Sequence, residues 1–88
     1  MKIVQPASAG KYEKDDAFVE IQPGKGIEIE IKCSAPTLVM KNIEKEVREV
    51  LEEYGVKDAR IKVMEKGALP WVLKSRVEAA ILRAGVSE

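Results

Sequence analysis

From Ile27 to Cys33 the chain alternates without a break. Ile27, Ile29, Ile31 and Cys33 fall on one parity, and Glu28, Glu30 and Lys32 on the other. Side chains of a strand point in turn to its two faces, so this run has an apolar face and a charged face. Its β-branched isoleucines suit a pleated surface. Such a strand is stable only where a second layer covers the apolar side, which limits the chain to a layered fold. Two shorter runs repeat the pattern. Ala17, Val19 and Ile21 alternate with Phe18, Glu20 and Gln22, and Ala59, Ile61 and Val63 alternate with Arg60, Lys62 and Met64. Between the first two runs lies Pro23-Gly24-Lys25-Gly26, in which proline presets one torsion and either glycine accepts positive φ. A hairpin joining 17–22 to 27–33 is the expectation.

The period changes after Cys33. Ser34-Ala35-Pro36-Thr37 reads as a helix start, with Ser34 or Thr37 as cap and Pro36 in the first turn. Met40, Ile43, Val47, Val50, Leu51 and Tyr54 then share one helical face. Glu44 with Arg48, and Lys45 with Glu49, stand four apart on the other face, each pair worth about 0.3 kcal/mol. Gly55 supplies the stop, so the helix is expected over about 37–54. After the 59–64 strand, Glu65-Lys66-Gly67 turns the chain and Pro70 takes a first helical position. Leu69, Val72, Leu73, Val77, Ala80, Ile81 and Ala84 then repeat helically up to Gly85.

Residues 1–14 show little periodicity beyond room for a short extra strand before Asp15. The order strand-strand-helix-strand-helix predicts an α+β two-layer sandwich, a small mixed sheet with two helices on one face. The passage from Ile27 to Val63 is expected to cross over right-handedly if its strands are parallel. Ile29, Ile31, Val47, Leu51, Ile61, Val63, Leu73 and Val77 are the expected core. A chain of 88 residues supports one such core, so residues 1–88 are read as a single domain.

Composition narrows the chemistry. Hydrophobic residues make up 45% and charged residues 34%, a globular balance. Fifteen basic and fifteen acidic residues cancel, and strand aromatics are not paired, which argues against nucleic acid as a partner. No apolar run reaches the roughly 18 residues of a membrane span, and the first residues lack a secretory signal, so a cytoplasmic protein is expected. Histidine is absent, which removes the commonest general base and the histidine-zinc sites. Neither a catalytic set nor a metal site is expected.

Single residues remain to be weighed. Glu13-Lys14-Asp15-Asp16 places carboxylates beside an amine, but neighbours in a turn diverge, and a solvated turn is the simpler expectation. Pro23-Gly24-Lys25-Gly26 lacks the spacing of a phosphate-binding loop. Cys33, on an apolar strand face, is expected to be a buried inert thiol. Trp71 is either a core cap or an exposed anchor for a partner. Residues 60–88 carry six positive charges, Arg76 among them, against three negative, and the first 59 residues are acidic by three. This polarity makes Trp71 and Arg76 the candidate partner-binding residues. A protein-interaction or assembly module is therefore one open reading.

The chain as a whole resembles one family. Met1-Lys2-Ile3, Gln5-Pro6-Ala7, Ala9-Gly10, the turn from Glu13 to Asp16, Lys66-Gly67-Ala68-Leu69 and Val72-Leu73-Lys74-Ser75-Arg76-Val77-Glu78-Ala79 are similar to the acyl carrier protein, or gamma subunit, of bacterial citrate lyase. The malonate decarboxylase carrier subunit is a more distant relative. The resemblance implies a non-catalytic subunit that tethers an acyl thioester for partner lyase alpha and beta subunits. In the family the tether is a phosphoribosyl-dephospho-coenzyme A group on a serine. Where the family pattern reads Glu-Ser-Gly-Asp, this chain reads Glu13-Lys14-Asp15-Asp16. Lys14 occupies the position of the modified serine and Asp15 that of the glycine. An amine cannot form the serine-type phosphodiester, and Ser8, Ser34, Ser75 and Ser87 are no natural substitutes. No such group is expected on this chain, and a non-carrier paralogue is the alternative within the family.

Overall fold

The structure is a computed structural model that describes residues 1–33 and 37–87. Its elements are β1 (Lys2–Ile3), β2 (Ala7–Gly10), β3 (Ala17–Gln22), β4 (Ile27–Lys32), α1 (Thr37–Glu53), β5 (Ala59–Glu65), α2 (Pro70–Ala84) and β6 (Gly85–Val86). This is the α+β order read from the pattern, with β2 as the extra strand before Asp15. The main sheet runs β2-β3-β5-β4, and β1 and β6 form a separate antiparallel pair. β5 is antiparallel to β3 and parallel to β4, which makes the sheet mixed. α2 lies over β2 and β3, and α1 packs beside it toward β4.

The expected hairpin does not form. β3 and β4 are not neighbours, because β5 lies between them. Burial explains the choice. Ala59, Ile61 and Val63 of β5 are fully buried, whereas the isoleucines of β4 reach only half-burial. The strand with the more complete apolar face takes the centre, and the strand with Glu28, Glu30 and Lys32 outward takes an edge, where charge also discourages further pairing. Four residues, 23–26, suffice for the connection. They extend to about 13 Å, and stepping over one strand needs about 10 Å. The loop rests on the start of β5. Ala59 N–H donates to Gly26 O at 2.9 Å, and Gly26 N–H donates to Asp58 Oδ1 at 2.8 Å. A side chain at Gly24 would come within 3.2 Å of the Ala59 and Arg60 backbone, so any larger residue would push the loop a few tenths of an ångström off β5.

One core fills the space between sheet and helices. Val19, Ile21, Val47, Leu51, Ile61, Val63, Leu73, Val77 and Ile81 are its largest fully buried side chains. Ile29 and Ile31, expected among them, are half-buried because β4 is an edge strand. Cys33 is likewise half-buried, not enclosed, and its thiol is free. Leu69 is exposed at the N-cap of α2 and does not join that helix's apolar stripe.

Helix ends are closed by backbone bonds. At the end of α1, Gly55 N–H reaches Glu52 O and Val56 N–H reaches Leu51 O, around a left-handed Gly55. The cap expected at Ser34 and the proline at Pro36 lie outside the described residues. Gly85 ends α2 in an extended conformation, and Val4 N–H then donates to Ala84 O at 2.9 Å. Arg48 meets Glu44 as expected, whereas Glu49 pairs with Lys74 of α2 at 2.9 Å. These exposed pairs contribute little. Among the described residues no helix is long and apolar enough to cross a membrane.

Leu51 packs in the centre of this core at 2% exposure. Leu51→Ala should therefore cost about 2–4 kcal/mol in denaturant melts, through lost burial and a residual cavity. A loss below about 0.5 kcal/mol would mean that another face of α1 is buried.

Candidate functional site

The segment between β2 and β3 is an exposed turn, residues 11–15, fastened to the sheet at its base. Gly10, at φ +83°, starts it. A Cβ there would overlap Ala17 O and come within 2.9 Å of Arg76 Cδ, so only glycine lets the chain leave β2 this close to α2. Asp16 N–H donates to Glu13 O at 3.1 Å and closes a four-residue turn with Lys14 and Asp15 at its centre. Asp15 sits at φ +63°, the left-handed region that suits glycine best and that aspartate tolerates better than most residues.

This turn is fastened to the β5–α2 connection. Lys66 N–H donates to Asp16 O at 3.0 Å, and Asp15 N–H donates to Lys66 O at 2.7 Å. Ala17 is paired with Glu65 in the ladder, so these bonds continue the β3–β5 pairing past the end of both strands. On the other side of the junction, Glu65 is 8% exposed, and its Oε1 accepts Ala68 N–H at 2.6 Å. Lys66 Nζ lies 4.4 Å from the centre of the Tyr12 ring, a cation–π contact across the same junction.

α2 supplies the last fastening. Arg76 Nε donates to Asp16 Oδ1 and Arg76 Nη2 to Asp16 Oδ2, both at 3.0 Å, a bidentate pair between residues 60 apart. Asp16 Oδ1 also accepts Ala17 N–H at 2.7 Å. The Arg76 guanidinium first, and the Ala17 N–H next, hold the Asp16 carboxyl below the usual carboxylate range, against a smaller opposing effect of burial.

Each residue singled out in the sequence can now be placed. Lys14 is exposed at the centre of the turn, with no ion pair or hydrogen bond among the described residues. Arg76 is committed to Asp16 through Nε and Nη2. Trp71 is 66% exposed in the first turn of α2, which decides for the surface over the core. Lys74 touches Glu49 and Tyr54 bonds Glu78, so contacts advance together along both helices and the two run parallel. Both helix starts therefore lie at the end of the sheet that carries the turn. Exposed Tyr12, Leu38, Val39 and Leu69 join Trp71 at that end. Ser8 lies elsewhere, exposed on β2, with its carbonyl accepting from Arg83 at 2.8 Å.

Two features were not drawn from the sequence. Glu65 shares the parity of Ala59, Ile61 and Val63, so strict alternation would have placed it inward as the last strand residue instead of in the turn. The Asp16–Arg76 pair had no local signal, because its partners meet only in the folded chain. Among the described residues no three acidic or thiol side chains converge to hold a metal ion. Chemically the arrangement offers a rigid base, an outward amine and an adjoining apolar surface.

Comparison with known proteins agrees over nearly the whole chain. The profile of the family described as malonate decarboxylase delta subunit (MdcD), an acyl carrier protein family, matches residues 4–84. The citrate lyase acyl carrier protein of Haemophilus influenzae is 44% identical over 84 residues, covering 96% of this chain and 88% of that protein. That of Treponema denticola is 38% identical, covering 96% and 97%. A subunit in the crystal structure of a Pseudomonas malonate decarboxylase hetero-tetramer in complex with malonate has the same fold. Its TM-score is 0.68 at 21% identity, over 97% of this chain and 93% of that one.

The folded pKa of Asp16 lies below its unfolded value. The pair therefore contributes stability that is complete above about pH 4 and is lost as the pH falls through the lower folded value. Thermal melts of Asp16→Asn should fall below those of the parent at neutral pH and converge on them at about pH 2. A gap of equal size at both pH values would mean that the pair contributes no pH-dependent stability.

Proposed function

This chain belongs to the acyl carrier protein family that includes the malonate decarboxylase delta subunit and the citrate lyase acyl carrier proteins, and on that premise we propose that it is a non-catalytic carrier subunit of a cytoplasmic lyase-type complex. The observation that supports this most is the exposed, backbone-fixed turn at the position where the family carries its prosthetic group. A carrier works by tethering. It holds an acyl thioester so that successive partner sites meet it at high effective concentration, and the partners supply the catalytic groups. The fold suits that division of labour, since the turn needs a firm base but no pocket. We read residues 1–88 as one carrier domain.

The family's phosphoribosyl-dephospho-coenzyme A group does not fit this site as it stands. Its link requires a hydroxyl, and the residue at the centre of the turn is Lys14, an amine. Ser8, the nearest serine in the sequence, sits on β2 outside the turn. Lys14 thus marks the family's attachment position without the family's attachment chemistry.

Partner subunits of the lyase alpha and beta type would dock on the end of the sandwich that presents Lys14. Trp71 is the anchor we assign there, because exposed tryptophans dominate interface energetics. Arg76, held to Asp16, borders the same turn and is the second residue we assign to docking.

The chain purified from its native source should elute with larger lyase-type subunits, and its intact mass should show no phosphoribosyl-dephospho-coenzyme A adduct. Trp71→Ala should weaken that association by about tenfold or more without changing the fold. Elution without any partner would contradict the carrier reading, and the adduct on any residue would contradict the assignment of Lys14.

A further inference from the structure

We infer that β4 is the seam of a two-fold dimer, in which it pairs antiparallel with β4 of a second copy of this chain around Ile31. Two four-stranded sheets then become one continuous sheet. The inference goes beyond the carrier reading and does not depend on it.

The two edges of the sheet differ. On β2 the Ser8 carbonyl is already taken by Arg83 Nη1 at 2.8 Å. β4 is six residues long, contains neither proline nor glycine, and is paired on one side only. Ala59 N–H donates to Gly26 O, and Ile27 stands opposite Ala59 in the parallel ladder. Backbone groups of successive strand residues point alternately to the two sides, so those of Glu28 and Glu30 face β5. Those of Ile27, Ile29 and Ile31 face away from it. Among the described residues no backbone group bonds to these three from outside the sheet. Their side chains are only half-buried on the helix side, so a strand laid along this edge covers apolar surface as well as backbone.

The charges that guard this edge leave one register open. A strand must join with its apolar face on the same side as its neighbour's, which centres a two-fold pairing on a residue. Centres at Glu28, Glu30 or Lys32 set that charge against its own copy, and a centre at Ile29 sets Glu28 against Glu30 twice. Like charges directly opposite are destabilising. The centre at Ile31 instead sets Glu30 against Lys32 of the second copy, twice, and brings no like charges of β4 together. Those two residues are also the ones with charge to spare. Glu28 is held by Arg60 Nε at 3.0 Å, whereas Glu30 and Lys32 have no ion pair or hydrogen bond among the described residues. On the other face Ile31 meets its own copy, and Ile29 comes beside Cys33 of the second copy. The overlap of about five residues is small for a specific interface, so association depends on concentration.

Sedimentation equilibrium of the full chain between about 1 μM and 1 mM tests this, with a mass rising to twice that of the chain as the expected result. Glu30→Lys and Lys32→Glu should each weaken the dimer about tenfold or more and leave the melting temperature of the dilute protein unchanged. An equimolar mixture of the two variants should dimerise again, because a strand with lysine at both positions then meets one with glutamate at both. Amides of Ile29 and Ile31 should gain exchange protection as the dimer forms, while that of Ile27, outside the overlap, should not. A chain that stays monomeric over this range would overturn the inference, even if another subunit of its complex shields β4. Dimers that both charge variants leave intact would overturn it as well, by placing the contact elsewhere. Protection that extends to Ile27 would overturn the register.

Discussion

The Asp16–Arg76 ion pair ties the turn between β2 and β3 to the helix that closes the core. Asp16 closes the turn just before β3, and Arg76 projects from the middle of α2. Leu73, Val77 and Ala80, within one helical turn of Arg76, are buried in the same core as Val19, Ile61 and Val63. The turn is thus positioned by the same helix that closes the core. Because both carboxylate oxygens are used, the contact fixes orientation as well as distance. The backbone bonds between Asp15, Asp16 and Lys66 act in parallel with it, and the buried Glu65 closes the adjoining loop. Lys14 is exposed between these anchors, at the centre of the turn.

Much of this architecture is legible in the order of periods along the chain. Alternation over 17–22, 27–33 and 59–64 and the helical repeat over 40–54 and 69–84 identify every main element, because each must bury one face. The neighbours within the sheet are less legible. A short glycine-rich connection after Gln22 suggests a hairpin, yet it also reaches across one intervening strand. Which outcome prevails depends on the relative burial of Ile27, Ile29 and Ile31 against Ala59, Ile61 and Val63, a tertiary comparison. The two-residue strands β1 and β6 are too short to show a period.

The site was legible in a different way. The Glu13 to Asp16 segment stands out only through the family resemblance, since composition alone describes a solvated turn. The resemblance points to the position of interest, and the comparisons place the chain in the same family. What it could not supply is the partner of Arg76, because a bidentate contact between residues 60 apart leaves no local trace. Trp71 stood between two uses in the sequence, and the parallel packing of α1 and α2 places it at the surface beside the turn.

The central claim is that the turn is a rigid extension of the β3–β5 ladder and not a mobile loop. Residue-resolved amide exchange with backbone relaxation over residues 10–17 tests it directly. The bonds of Asp15 to Lys66 O and Asp16 to Glu13 O predict protected amides at both positions, and the unbonded Lys14 amide should exchange freely between them. Order parameters through the segment should match those of the strands, at about 0.85. Rapid exchange at Asp15 and Asp16, with order parameters below about 0.6, would contradict the account.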